Sequence, residues 1–232
     1  LGITNDTVLY VEQGGTTYHV AFCDGSTNLL RRTRSEGSAG YSAFHVAKVT
    51  GSLHADLAGA AYKVVACSDV GGSLLSSETV STSTFNGGGA LYYESSSGTP
   101  DVVITSGSDC TASILVAASL DTTPSSSDYA VTFSPTAKIH GEVSTSLADK
   151  TVRVFTSDAS CSSDATKARQ TLPSSVTGSD DLAVYVPQGP TYYVTLCDGS
   201  TKRLVRTKAV SSADVTYSVG GVNTSGTGKV HT

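Results

Sequence analysis

Apolar and polar positions alternate one by one in the clearest segments of the chain. Leu182, Val184 and Val186 fall on one face with Ala183 and Tyr185 on the other; Tyr192, Val194 and Leu196 alternate with Tyr193, Thr195 and Cys197. A period of two marks a half-buried strand, because successive side chains point to opposite faces of a sheet. Asp24-Gly25 and Asp198-Gly199 supply the positive-φ residues that a hairpin turn needs. Gly87-Gly88-Gly89, Ser95-Ser96-Ser97-Gly98 and Ser125-Ser126-Ser127 mark loops. No convincing stretch puts apolar residues at i, i+3, i+4 and i+7. The pattern predicts an all-β chain.

The strands recur in a frame. Ala47-Lys48-Val49-Thr50-Gly51-Ser52-Leu53 returns as Ala137-Lys138-Ile139-His140-Gly141-Glu142-Val143 and begins again at Lys229-Val230-His231-Thr232, the lysines lying 90 and then 91 residues apart. Val11-Glu12-Gln13-Gly14 and Thr17-to-Thr27 return as Val186-Pro187-Gln188-Gly189 and Thr191-to-Thr201, with Thr17-Tyr18-His19-Val20-Ala21-Phe22-Cys23-Asp24-Gly25 matching Thr191-Tyr192-Tyr193-Val194-Thr195-Leu196-Cys197-Asp198-Gly199. Two matches in one register give a half repeat over 1–46, whole units over 47–136 and 137–228, and a first-strand stub over 229–232. Each whole unit has the size of an immunoglobulin-like sandwich.

The order Lys138-Ile139-His140-Gly141-Glu142-Val143, then Thr151-Val152-Arg153-Val154-Phe155, then Leu182-to-Gly189 and Tyr192-to-Leu196 resembles the carboxypeptidase regulatory-like or prealbumin-like repeat. It is also similar to the collagen-adhesin B-type repeats of bacterial surface proteins. The resemblance covers 138–217 best and 48–133 more loosely. It implies tandem Ig-like, prealbumin-like β-sandwiches. Some B-type repeats carry a Lys–Asn crosslink near the positions of Lys48 and Lys138, but the closing strands Tyr129–Phe133 and Asp214–Val219 contain no Asn.

Composition narrows the setting. Of 232 residues, 36 are Ser and 31 Thr, only 15% are charged, and Met and Trp are missing, a strand-and-turn alphabet. The 38% apolar content suffices for packed cores, whereas no apolar run approaches the length of a membrane-spanning helix. A net charge of −5 argues against nucleic acid as the main partner. Five cysteines without a C-x-x-C pair give zinc no support and fit an oxidising, extracellular or cell-surface setting. The frame pairs Cys67 with Cys110 and Cys161 with Cys197. Cys23 takes the place of Cys197 in the half repeat and is left over, unpaired or intermolecular. Strand parity puts Cys197 opposite Val194 and Leu196, so its bridge is expected at a sheet end and not across the core.

Catalytic chemistry finds no support. His19, His45, His54, His140 and His231 make no i, i+4 pair; Asp180-Asp181 point to opposite faces of a strand; no G-x-S-x-G elbow, calcium loop or phosphate loop is present. Neither a cofactor nor a metal is expected. Arg31-Arg32-Thr33-Arg34 and Lys202-Arg203-Leu204-Val205-Arg206-Thr207-Lys208 follow the same turn in their units, and read as guarded strand edges or as a basic stripe meeting acidic polysaccharide or a neighbour's carboxylates. Asn5-Asp6-Thr7 and Asn223-Thr224-Ser225 are glycosylation sequons, at Asn5 and Asn223. The half repeat lacks its opening strands, so a groove must be filled by upstream repeats of a longer array or by another copy. In the second case the stub Lys229-Val230-His231-Thr232 enters the groove of the next molecule and builds a fibre. The expectation is an extracellular structural repeat protein of a stalk, adhesin, surface layer or filament. The alternative is a glycan-binding module using Tyr92, Tyr93, Tyr185 and Tyr193 as exposed platforms. Tyrosines buried between units would favour the structural expectation.

Overall fold

A computed structural model describes residues 17–24, 27–35, 45–59, 61–68, 72–75, 79–95, 101–107, 109–111, 114–119, 130–141, 147–163, 166–172, 174 and 182–216. Strands β1 (Thr17–Asp24) and β2 (Thr27–Ser35) form a hairpin. A first set follows: β3 (His45–Thr50), β4 (Lys63–Cys67), β5 (Val80–Ser81), β6 (Leu91–Ser95), β7 (Asp101–Thr105), β8 (Ile114–Ser119) and β9 (Ala130–Thr132). A second set repeats the course: β10 (Ala137–Gly141), β11 (Thr151–Phe155), β12 (Ala168–Thr171), β13 (Leu182–Val186), β14 (Thr191–Asp198), β15 (Thr201–Ala209) and β16 (Asp214–Thr216). The chain is all-β in class. Two short helices escape the periodicity, α1 (Ala55–Ala58) and α2 (Thr82–Asn86), because four or five residues are too few to establish a helical period.

One long sheet runs β15-β14-β11-β12-β8-β7-β4-β5, and two three-stranded sheets run β6-β3-β9 and β13-β10-β16. Each set therefore puts four strands in the long sheet and three in its own small one. In both, the first strand pairs in parallel with the last, β3 with β9 and β10 with β16. Lettered A to G, the order is D-A-G facing F-E-B-C. Immunoglobulin constant domains group their strands as ABED and CFG, so the strand order is not theirs.

Between the layers lie two apolar clusters. Leu182, Val184, Tyr192, Val194 and Leu196 are buried in the second, as their alternation predicts, together with Ile139, Val152 and Val154. Val49, Val64, Ala66, Phe85, Leu91, Val102, Ile104, Val116 and Phe133 fill the first. Gln170 points from β12 into the second interior, and its Oε1 accepts from the Ala183 backbone N–H of the opposite sheet at 2.7 Å. A polar side chain is kept there because it satisfies a strand donor across the layers.

The disulfides join Cys67 to Cys110 and Cys161 to Cys197, the pairs that the repeat frame assigns. Both lie off the two main interiors: Cys67 and Cys110 group with Val65 and Val103 on the other face of the long sheet. In the first set the bridge runs from strand β4 to the loop after β7; in the second it runs from the loop after β11 to strand β14. The roles of strand and loop are exchanged, which is why the cysteines do not align between repeats.

The hairpin β1–β2 has the same register as β14–β15, down to a shift between Phe22 and Cys23 that matches the one between Leu196 and Cys197. Gly199 takes φ 57° in the tight turn of the latter, a conformation cheap only for glycine. Among the described residues no other strand pairs with β1 or β2.

Gly51 ends β3 where the Phe133 N–H donates to the Thr50 carbonyl at 2.8 Å. A Cβ there would stand 1.8 Å from the Phe133 carbonyl oxygen, so the parallel β3–β9 pair depends on a missing side chain. Gly51→Ala is expected to lower stability by about 1–3 kcal/mol or more in urea denaturation, the range for forced overpacking. Removing Cys67 and Cys110 together is expected to cost about 2–4 kcal/mol in the same assay.

Candidate functional site

The most developed site is the joint between the two sets. It starts in the backbone: Ala168, Arg169 and Gln170 of β12 pair antiparallel with Val116, Leu115 and Ile114 of β8. Two edges that would otherwise expose unpaired donors and acceptors satisfy each other, and the two four-stranded halves become one sheet.

Side chains then close over this pairing. Ile139 faces the second interior, so its neighbour Lys138 points away from it, toward the first set. Tyr185 and Asp214 are the direct cross-strand neighbours of Lys138, one on each side. These three residues form a row across β13, β10 and β16. Tyr185 is 7% exposed and belongs to the apolar cluster of the first set, although the chain places it in the second.

The tip of α1 meets that row. His54 caps the helix: its Nδ1 accepts from the Asp56 N–H at 3.2 Å, and its own N–H donates to the Pro135 carbonyl at 3.1 Å. Its Nε2 faces Asp214 Oδ1 at 3.4 Å. The imidazole also lies 5.4 Å from the Tyr185 ring. Lys138 Nζ reaches Asp56 Oδ2 at 2.9 Å. The hydrogen bond from Lys138 holds the Asp56 carboxyl below its usual range; the Lys138 and His54 charges and a hydrogen bond with Tyr185 act the same way, while desolvation opposes them.

Magnitudes divide the labour. Half-exposed ion pairs contribute about 0–1 kcal/mol each, whereas a buried aromatic ring is worth about 3–5 kcal/mol on truncation. Tyr185 and the β8–β12 pairing hold the joint; the Asp56–Lys138 and His54–Asp214 contacts orient it. The first set carries part of the same row, since Tyr92 is the cross-strand neighbour of Lys48, with Ala130 in the place of Asp214. Strand β2 lies against β6 as β8 lies against β13.

Of the four tyrosines expected as exposed platforms, two are interior. Tyr93 is 1% exposed, and burial pushes its phenol up to about 12; Tyr185 is buried in the joint. The expectation fails there because Tyr93 faces its own core, while the outer face of Tyr185 is covered by the neighbouring set. Tyr92 and Tyr193 are half-buried. Tyr192 is another core ring, its phenol pushed up to about 12 by burial, and its hydroxyl donates to the Pro187 carbonyl at 2.8 Å.

Lys202, Arg203, Arg206 and Lys208 lie on β15, at one end of the long sheet. Lys202 pairs with Asp158. Arg203 and Lys150 share Asp198, at 2.9 and 3.0 Å, and their hydrogen bonds, that of Lys150 first, hold its carboxyl below the usual range. Arg31, Arg32 and Arg34 occupy β2, and Cys23 is exposed on β1 at the register position of Cys197. Asn5, Asn223, Asp180, Asp181 and the stub Lys229-Val230-His231-Thr232 lie outside the described residues. Among the described residues no group of His, Cys, Asp and Glu could hold a metal ion, and no helix is long and apolar enough to cross a membrane.

In the sequence His54 counts only as a histidine without a metal-ligand partner, and Asp56 and Asp214 carry no motif. The usable signal was the Tyr–Lys cross-strand pair recurring in both units, with a charged residue added beside it in the second. No protein-family model, curated protein or solved structure matches the chain.

Tyr185→Ala is expected to destabilise the chain by about 3–5 kcal/mol in denaturant unfolding. Asp56→Asn is expected to cost about 0.5–1 kcal/mol at pH 7, discounted because the carboxylate is half exposed. Asp56 has a lowered native pKa, so its contribution is full above the unfolded carboxylate range and is lost as pH falls through the native value. Urea titrations of both proteins across that range should converge at the acidic end.

Proposed function

We propose that this chain is a structural component of an extracellular stalk, adhesin, surface layer or filament, built from tandem prealbumin-like or Ig-like sandwich modules of about ninety residues. The observation carrying this reading is the burial of Tyr185 from one module in the apolar cluster of the other, over a sheet continuous through β8 and β12. Such a joint resists bending, because rotating one module against the other exposes an aromatic ring and breaks a strand ladder. Two disulfides support an oxidising setting outside the cell. The work is mechanical, and the chain is not an enzyme.

Assembly is head to tail, through further repeats or through strand complementation. The β1–β2 hairpin supports this, since its counterpart β14 receives β11 on the edge where β1 has no strand beside it among the described residues. Cys23 stands where Cys197 meets Cys161, so a module completing the hairpin would bring a cysteine to it. The glycan-binding alternative loses two of its four tyrosines to the interior.

Non-reducing electrophoresis and polysaccharide binding test this together. Concentrated protein under mild oxidation is expected to form a ladder that collapses with reductant and disappears in Cys23→Ser, while labelled acidic and neutral polysaccharides do not bind. Saturable polysaccharide binding by a chain that stays monomeric would transfer the assignment to a glycan-binding module.

A further inference from the structure

The long sheet ends in β15 at one side and β5 at the other. Lettered by position in their sets these are an F strand and a C strand, the same two types that meet in the middle as β8 and β12. Register carries the comparison to single residues. Lys63 pairs with Thr105 and Arg153 with Thr195; Thr105 pairs with Leu115 and Thr195 with Val205. Ile114, Leu115 and Val116, which receive β12, therefore correspond to Leu204, Val205 and Arg206 on β15. Among the described residues no strand lies on the outer edge of β15.

The two sockets differ in chemistry. Val116 is buried opposite Ala168. On β15 the same place holds Arg206, which is exposed and bonds only to the neighbouring Val205 carbonyl at 3.4 Å. Lys208, two residues on, shares its face with Arg206 and Leu204, over Tyr192 and Val194. Neither Arg206 nor Lys208 has an ion-pair partner among the described residues, whereas Lys202 and Arg203 on the same strand both have carboxylates. A strand docking here in the β12 register would bring its equivalents of Ala168 and Thr166 against two unneutralised cations. Opposite charges directly across a strand pair stabilise it, and like or unmatched ones select against the wrong partner.

We infer that the open edge of β15, at Leu204–Arg206, is an extension surface for the third strand of a further module of this fold, one that carries carboxylates at the positions of Thr166 and Ala168. The inference rests on the modular reading above and adds the edge, the register and the charge of the partner. The β8–β12 interface continues through it in the same antiparallel sense. Recognition is by backbone hydrogen bonds for affinity and by two alternate side chains for selectivity.

The test uses the full chain and a capped synthetic peptide of residues 166–172 bearing Thr166→Glu and Ala168→Glu, with the unsubstituted peptide as control. Amide hydrogen exchange of the chain is read at Leu204–Arg206 while affinity is titrated. The expected result is added protection confined to that edge, with binding about tenfold tighter for the glutamate peptide, the scale of two exposed ion pairs. Arg206→Glu should reverse the preference toward a peptide with Lys at the two positions; the residue is exposed, so the variant folds. No added protection, equal binding of the two peptides, or binding without protection at β15 would each overturn the inference and identify the cations as an edge guard only. Those outcomes leave the Tyr185 joint and the Cys23 ladder untouched, so a failure here is distinguishable from a failure of the structural assignment.

Discussion

A strand edge cannot be left with unpaired backbone groups beside an apolar interior, and the architecture follows from how this chain meets that requirement. At β8 and β12 the edges of the two strand sets satisfy each other, which makes one sheet of eight strands. At β15 the edge is lined with Lys and Arg. At β5 it shrinks to two residues and passes directly into α2, whose cap is the Ser81 hydroxyl accepting from the Thr84 N–H at 3.2 Å. Of the two ends of the long sheet, one carries cations and the other turns into a helix.

Small cores explain the rest of the reinforcement. With no Met or Trp in the chain, the largest fully buried side chains are tyrosines and phenylalanines. Each disulfide closes a loop, of sequence separation 43 in the first set and 36 in the second, and restricts the unfolded chain where the apolar clusters are modest. The bridges sit on the far side of the long sheet, so they clamp strands β4 and β14 without taking room from the interior. Tyr185 adds apolar surface by a different route, lending the second set's side chain to the first set's core.

The joint has a polar layer because a row of side chains on a sheet's outer face must end in either water or partners. Tyr185, Lys138 and Asp214 find partners in His54 and Asp56. In the first set Tyr92 and Lys48 repeat two members of the row, while Ala130 replaces the aspartate. The two rows thus share a register and differ in charge.

Period-two alternation, Asp-Gly turns and a ninety-residue frame are local or repeated signals, so the strands at 182–186 and 191–197, the Asp198-Gly199 turn and the cysteine pairs were legible in the chain alone. Leu182, Val184 and Val186 lie inside as their spacing requires, and Cys197 bridges away from Val194 and Leu196 as parity requires. The presence of α1, the strand order D-A-G facing F-E-B-C and the interior place of Tyr185 emerge from the folded packing instead. Alternation assigns a residue to one of two faces; it carries no information about what covers the outer one. His54 and Asp56 reach Lys138, Tyr185 and Asp214 across a long stretch of chain, and that meeting depends on how the β8 edge docks against β12, which no local pattern specifies.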